Sequence, residues 1–116
     1  MDAILLPPEL AEQIPGFTNG VGYGPAAVAY VKFVAPWQKR RWYVTLYHAA
    51  ERFCWTKYVG PDGAALMGVR MSTLENLQGP NGEQVSRDTS FISRPLDECE
   101  PECQPRIIRG EEWLGT

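Results

Sequence analysis

Two runs rich in aromatic and β-branched residues, 42–47 and 52–59, stand only four residues apart and lead straight into Gly60-Pro61-Asp62-Gly63. Parallel neighbours need a crossover of a dozen or more residues, and there is no room for one here. Each run must therefore turn back on the one before it. Pro61 presets the second turn position and glycine tolerates positive φ, so the Gly60–Gly63 stretch is a turn between antiparallel strands. In the first run Trp42, Val44 and Leu46 alternate with Tyr43, Thr45 and Tyr47, which places the first three on one side. Phe53 and Trp55 extend that side as the expected core row.

The rest of the chain extends this meander. Residues 27–35 form an apolar run ended by Pro36 and read as a strand. Residues 65–71 read as another, and residues 85–92 as a last one with weaker alternation. Pro7-Pro8-Glu9-Leu10 is a helix start, since proline fits the first turn where its missing N–H is not needed. Ser72-Thr73-Leu74-Glu75 fits a capping box for a second helix. Gly79 would close that helix in the left-handed conformation, before Pro80. Gly20, Gly22 and Gly24 mark a loop. The expected fold is α+β: a mainly antiparallel meander sheet of about five strands with two short helices. Its domain is residues 1–98, and residues 99–116 form an acidic C-terminal extension.

Composition sets outer limits. A chain of 116 residues suits one domain with one modest core. Its net charge of −3 selects no partner class by itself. No apolar run is long enough to cross a membrane, so no membrane partner is expected. The start lacks the basic lead and long apolar stretch of a signal peptide. Three cysteines are an odd number for a secreted disulfide framework, and together these features point to the cytoplasm. The charge is uneven. Residues 1–96 carry nine basic and eight acidic side chains, while residues 97–116 carry two basic and six acidic.

Reactive chemistry is sparse. His48 is the one histidine and sits at a hairpin end, with no nucleophile-elbow pattern elsewhere. Asp97-Glu98 and Glu111-Glu112 read as solvated charge. Cys54, Cys99, Cys103 and His48 could supply three sulfurs and one nitrogen to zinc. However, the spacing of Cys99 and Cys103 is not that of a zinc knuckle, and Cys54 falls within a strand. Gly20-Val21-Gly22-Tyr23-Gly24 follows a helix and opens a strand, the reverse of a phosphate loop. The sequence thus assigns no catalytic residue, no metal ligand and no cofactor.

The middle of the chain is basic and aromatic. Lys39, Arg40, Arg41, Trp42, Tyr47, Arg52, Trp55 and Lys57 are its candidate binding residues. Cations that meet phosphates while rings stack on bases hold single strands without reading sequence. Trp, Tyr and Arg also dominate protein-interface hot spots. The plainer alternative is a core row with ordinary surface charge around it. The acidic end could fold back on this surface, enter a partner's groove or mediate self-association.

Several phrases together resemble the bacterial and phage family called domain of unknown function 2958. They are Leu6-Pro7-Pro8-Glu9-Leu10, then Val31-Lys32-Phe33 before Pro36, then Trp42-Tyr43-Val44-Thr45 and Lys57-Tyr58-Val59-Gly60. Leu74-Glu75-Asn76-Leu77 follows with Gly79-Pro80, then Arg87-Asp88 with Phe91 and Arg94-Pro95-Leu96. The resemblance spans residues 4–98. It implies a small accessory protein of phages, plasmids or conjugative elements, near anti-restriction or DNA-processing genes, and carries over no catalytic residue. The resulting expectation is a non-enzymatic binding protein of a mobile element, an anti-CRISPR or anti-restriction factor docking onto a host or element protein complex. The alternative is an accessory protein that binds single-stranded nucleic acid through a basic aromatic sheet face.

Overall fold

The structure, a computed structural model, describes residues 5–17 and 26–103 and the backbone of residues 106–107. In chain order it forms α1 (Pro8–Ala11), β1 (Val28–Ala29), β2 (Val31–Ala35), a 3₁₀ turn (Pro36–Gln38), β3 (Arg40–His48), β4 (Phe53–Gly60) and β5 (Gly63–Arg70). Then come α2 (Met71–Asn76), β6 (Ser86–Arg87), β7 (Arg94–Pro95), a second 3₁₀ turn (Leu96–Glu98) and β8 (Arg106–Ile107). The main sheet runs β6-β2-β3-β4-β5-β8, and β1 and β7 form a separate two-stranded ribbon. Pairing is antiparallel except between β5 and β8, which run parallel. The fold is the α+β arrangement expected: a mostly antiparallel meander with two short helices.

The hairpin between β4 and β5 closes through Pro61-Asp62, with Gly60 opposite Gly63. Gly63 sits at φ +128°, a conformation only glycine adopts without strain.

Both faces of the sheet are covered. On the first, Val31, Phe33, Trp42, Val44, Tyr58, Met67 and Val69 pack under Leu6 and Ile14 from the N-terminal segment and Met71 and Leu74 from α2. On the second, Tyr43, Val59 and Leu66 pack under Ala29, Leu96 and Cys99. The segment after β7 is therefore a strap across the sheet, with Leu96 and Cys99 buried. The acidic extension was expected to begin at Cys99, within this strap.

Five local expectations need correction. A bulge at Thr45 shifts the register, so Val44 faces Thr56 but Leu46 faces Trp55. Leu46, Phe53 and Trp55 thereby fall on the face opposite Trp42 and Val44, because the extra residue reverses the alternation. The strand expected over residues 27–35 breaks at Tyr30, whose N–H donates to the Val44 carbonyl at 2.8 Å while β1 turns away to pair with β7. The last strand keeps only Ser86–Arg87, because the Asp88 carboxylate accepts from the Ser90 N–H and hydroxyl and bends the chain. The capping box does not form either. Arg70 is the N-cap of α2 and no side chain caps it, since β5 runs straight into the helix. Glu75 instead takes Arg52 as its partner. Leu77 ends α2 in an extended conformation, and Gly79 serves close packing: a Cβ there would lie 2.9 Å from the Trp37 ring.

Candidate binding surface

The site grows from a row across three strands. Lys32 on β2 pairs with Tyr43 on β3, which pairs with Lys57 on β4. All three point to the second face, which places two cations in an apolar layer. Each must then find acceptors. Lys57, only 2% exposed, donates its Nζ to the carbonyls of Cys99 (2.7 Å) and Glu100 (3.2 Å). Lys32 lies 5.5 Å from the centre of the Tyr43 ring and 3.5 Å from an Asp88 carboxylate oxygen.

Glu100 is the centre of the row's polar contacts. Arg41 grips its carboxylate with two nitrogens, Nε at 2.6 Å and Nη2 on the second oxygen. The Tyr43 hydroxyl donates to the same carboxylate at 2.5 Å. The Arg41 bonds hold the Glu100 carboxyl below its usual range. Burial, reinforced by the bond to Glu100, pushes the Tyr43 phenol up, so it stays a neutral donor. Burial also raises the Cys99 thiol. Glu100 has φ +55°, unusual for a residue with a Cβ.

Beside this row lies a cleft of about 290 Å³ whose lining includes Lys32, Tyr43, Phe91, Ile92, Arg94 and Glu98. Phe91 packs against Tyr43 at 5.7 Å between ring centres. The Arg94 guanidinium stands 6.0 Å over the Phe91 ring. Ile92 is 69% exposed and Val28 38%; these are the large apolar side chains most open to solvent among the described residues. They flank one small structure, since Val28 pairs with Pro95 in the ribbon and Ile92 precedes Arg94 by two positions.

The eight binding residues read from sequence do not share one exposed face. Trp42 is wholly buried against Tyr58 on the first face, with its indole N–H unpartnered. Tyr47 packs half-buried on that same core. Arg40 stands 6.0 Å over the Tyr58 ring. Arg41, Trp55 and Lys57 lie on the second face, where Arg41 and Lys57 are engaged by the strap. Arg52, in the β3–β4 turn at φ +51°, bonds both oxygens of Glu75. Lys39 is exposed in the left-handed position after the first 3₁₀ turn.

The binding set read from sequence left out Tyr43, Lys32, Phe91, Ile92, Arg94 and Glu100. The readable signal was the Lys32–Tyr43–Lys57 row, which a meander register places side by side.

The zinc set does not converge. Cys54 lies in the first-face core, its thiol 3.6 Å from the Met71 sulfur and pushed by burial up to about 12. Cys99 is on the other face, and His48 ends the β3 hairpin arm, exposed. Glu100, Glu102 and Cys103 do cluster, but both Glu100 oxygens are already taken by Arg41 and Tyr43. The Gly20–Gly24 loop lies outside the described residues.

No family model, curated protein or solved structure matches this chain.

Proposed function

We propose that this chain is a non-enzymatic binding protein that docks onto another protein through the β1–β7 ribbon and the cleft beside it. One observation carries this reading: Ile92 stands open to solvent beside an arginine stacked on Phe91, with exposed Val28 on the facing strand. An apolar contact beside a stacked guanidinium is the composition of an interface hot spot. The chemistry nearby supports recognition over reaction. The Tyr43 phenol and the Cys99 thiol are held protonated, and the Glu100 carboxylate is occupied. The resemblance described above gives the reading its most concrete form. The protein would be a cytoplasmic mobile-element factor that blocks a CRISPR or restriction complex by occupying one of its surfaces.

The alternative is single-stranded nucleic acid binding. It has less support, because Arg41, Arg52 and Lys57 each have acceptors within the chain. Phosphate would have to displace them.

Co-elution on size exclusion with purified host defence complexes tests the proposal. The wild-type chain is expected to shift to the complex, and Ile92→Asp with Arg94→Glu to stay free. Wild type and variant behaving alike would count against the docking face.

A further inference from the structure

Arg41, Tyr43 and Lys57 make a compact set of donors on one sheet face. Tyr43 and Lys57 are direct cross-strand partners, and Arg41 is two residues along β3. The strap supplies one carboxylate and two consecutive main-chain carbonyls to them, and Arg41 Nη1 also donates to the Lys39 carbonyl beside β3. A guanidinium fork, a phenol and an ammonium aimed at a glutamate and its own backbone are the chemistry of acidic-peptide recognition. We propose that the Arg41–Tyr43–Lys57 cradle is a recognition site for an acidic peptide segment of a partner protein, and that the chain's own Glu100 occupies it as an internal ligand.

Four features make Glu100 exchangeable while the rest of the strap stays. Leu96 and Cys99 are buried and anchor the strap on the near side of the cradle. Glu100 itself sits at φ +55°, a conformation its Cβ disfavours, so the cradle contacts hold it against its backbone preference. Beyond it, β8 pairs with the sheet at Ala65 and Leu66 among the described residues. The side chains of the Arg41–Glu100 pair are 30% and 19% exposed, so solvent reaches the contact. An incoming glutamate could then replace Glu100 without disturbing the first-face core. This site adjoins the Ile92 patch and shares Tyr43 and Glu100 with the cleft beside it, but its test changes Arg41 and Glu100 while the docking test changes Ile92 and Arg94, so the two can fail independently.

The test is calorimetric titration of the full chain with a blocked peptide carrying the sequence of residues 97–103, with Cys99→Ser and Cys103→Ser. Glu100→Ala, which frees the Tyr43 hydroxyl and two Arg41 nitrogens while Lys57 keeps its main-chain acceptors, is expected to bind this peptide at least tenfold more tightly than wild type. Binding should weaken with salt, disappear when Arg41→Ala is added, and disappear when the peptide's central glutamate is glutamine. Equal affinity of wild type and Glu100→Ala, no binding by either, or binding that survives Arg41→Ala would overturn the proposal. Should Glu100→Ala fail to fold, Glu100→Gln replaces it, and amide exchange of the wild type gives an independent readout. Exchange at Cys103, whose N–H donates to the Glu100 carbonyl, through local opening insensitive to low urea supports an exchangeable ligand. Exchange there only through global unfolding overturns it.

Discussion

The Lys57 ammonium, buried in the sheet, donates to the Cys99 main-chain carbonyl at 2.7 Å. The contact ties a strand at the centre of the meander to a segment 42 residues later in the chain. It converts an inward-facing charge, which an apolar layer would reject, into an anchor for the strap.

Lys57→Met keeps most of the stem's packing and removes the donor. The carbonyls of Cys99 and Glu100 are then left short of a partner in a dry layer. A loss of about 1.5–3 kcal/mol is expected, the usual range for a hydrogen bond to a charged group. Urea denaturation of both proteins measures it; an unchanged midpoint would show that the strap does not depend on this contact.

Stability should fall in acid partly through Glu100. Its folded carboxyl is depressed by Arg41 below the ordinary value of 4.5. The unfolded chain therefore binds this proton first, and the contribution is complete above about that value. It is lost as pH falls through the folded value. Asp88 is also depressed, chiefly by the Ser90 hydroxyl, and adds to the slope. Glu100→Gln isolates its share: the variant should be less stable than wild type at neutral pH and converge with it in acid. A constant gap down to low pH would contradict the ionic account.

Trp42→Ala should cost about 3–5 kcal/mol, because a fully buried indole leaves a cavity between Phe33 and Tyr58. The readout is loss of the cooperative transition or a large drop in its midpoint. A small effect would mean that Trp42 is not central to the first-face core.

Lys39→Gly should be neutral or stabilising by about 0.5–1 kcal/mol. Lys39 is exposed at φ +57°, where a Cβ is disfavoured. Relief of that strain offsets the added freedom of glycine in the unfolded chain. Destabilisation by more than about 1 kcal/mol would show that the side chain does something beyond marking a turn.

Local rules written into neighbouring residues made much of this fold legible. Gly60-Pro61-Asp62-Gly63 placed the β4–β5 turn, and the short spacer after His48 placed the hairpin before it. What stayed hidden depends on residues far apart in sequence. The bulge at Thr45 carries no glycine or proline to announce it, yet it moved Leu46 to the other face. Ser72 and Glu75 have the spacing of a cap, but Arg52, brought near by the β3–β4 turn, took the glutamate. Glu100 looked like one acid among several in an acidic tail. Only the strap's path over Lys57 and Tyr43 distinguishes it.

The docking face itself is most directly probed by a photo-crosslinking residue placed at Ile92 and, as a control, at Lys39, in cells that carry the host's defence complexes. The account predicts a discrete protein adduct from position 92, lost with Arg94→Glu, and none from position 39. Adducts with nucleic acid, adducts from position 39 alone, or none from position 92 would contradict it.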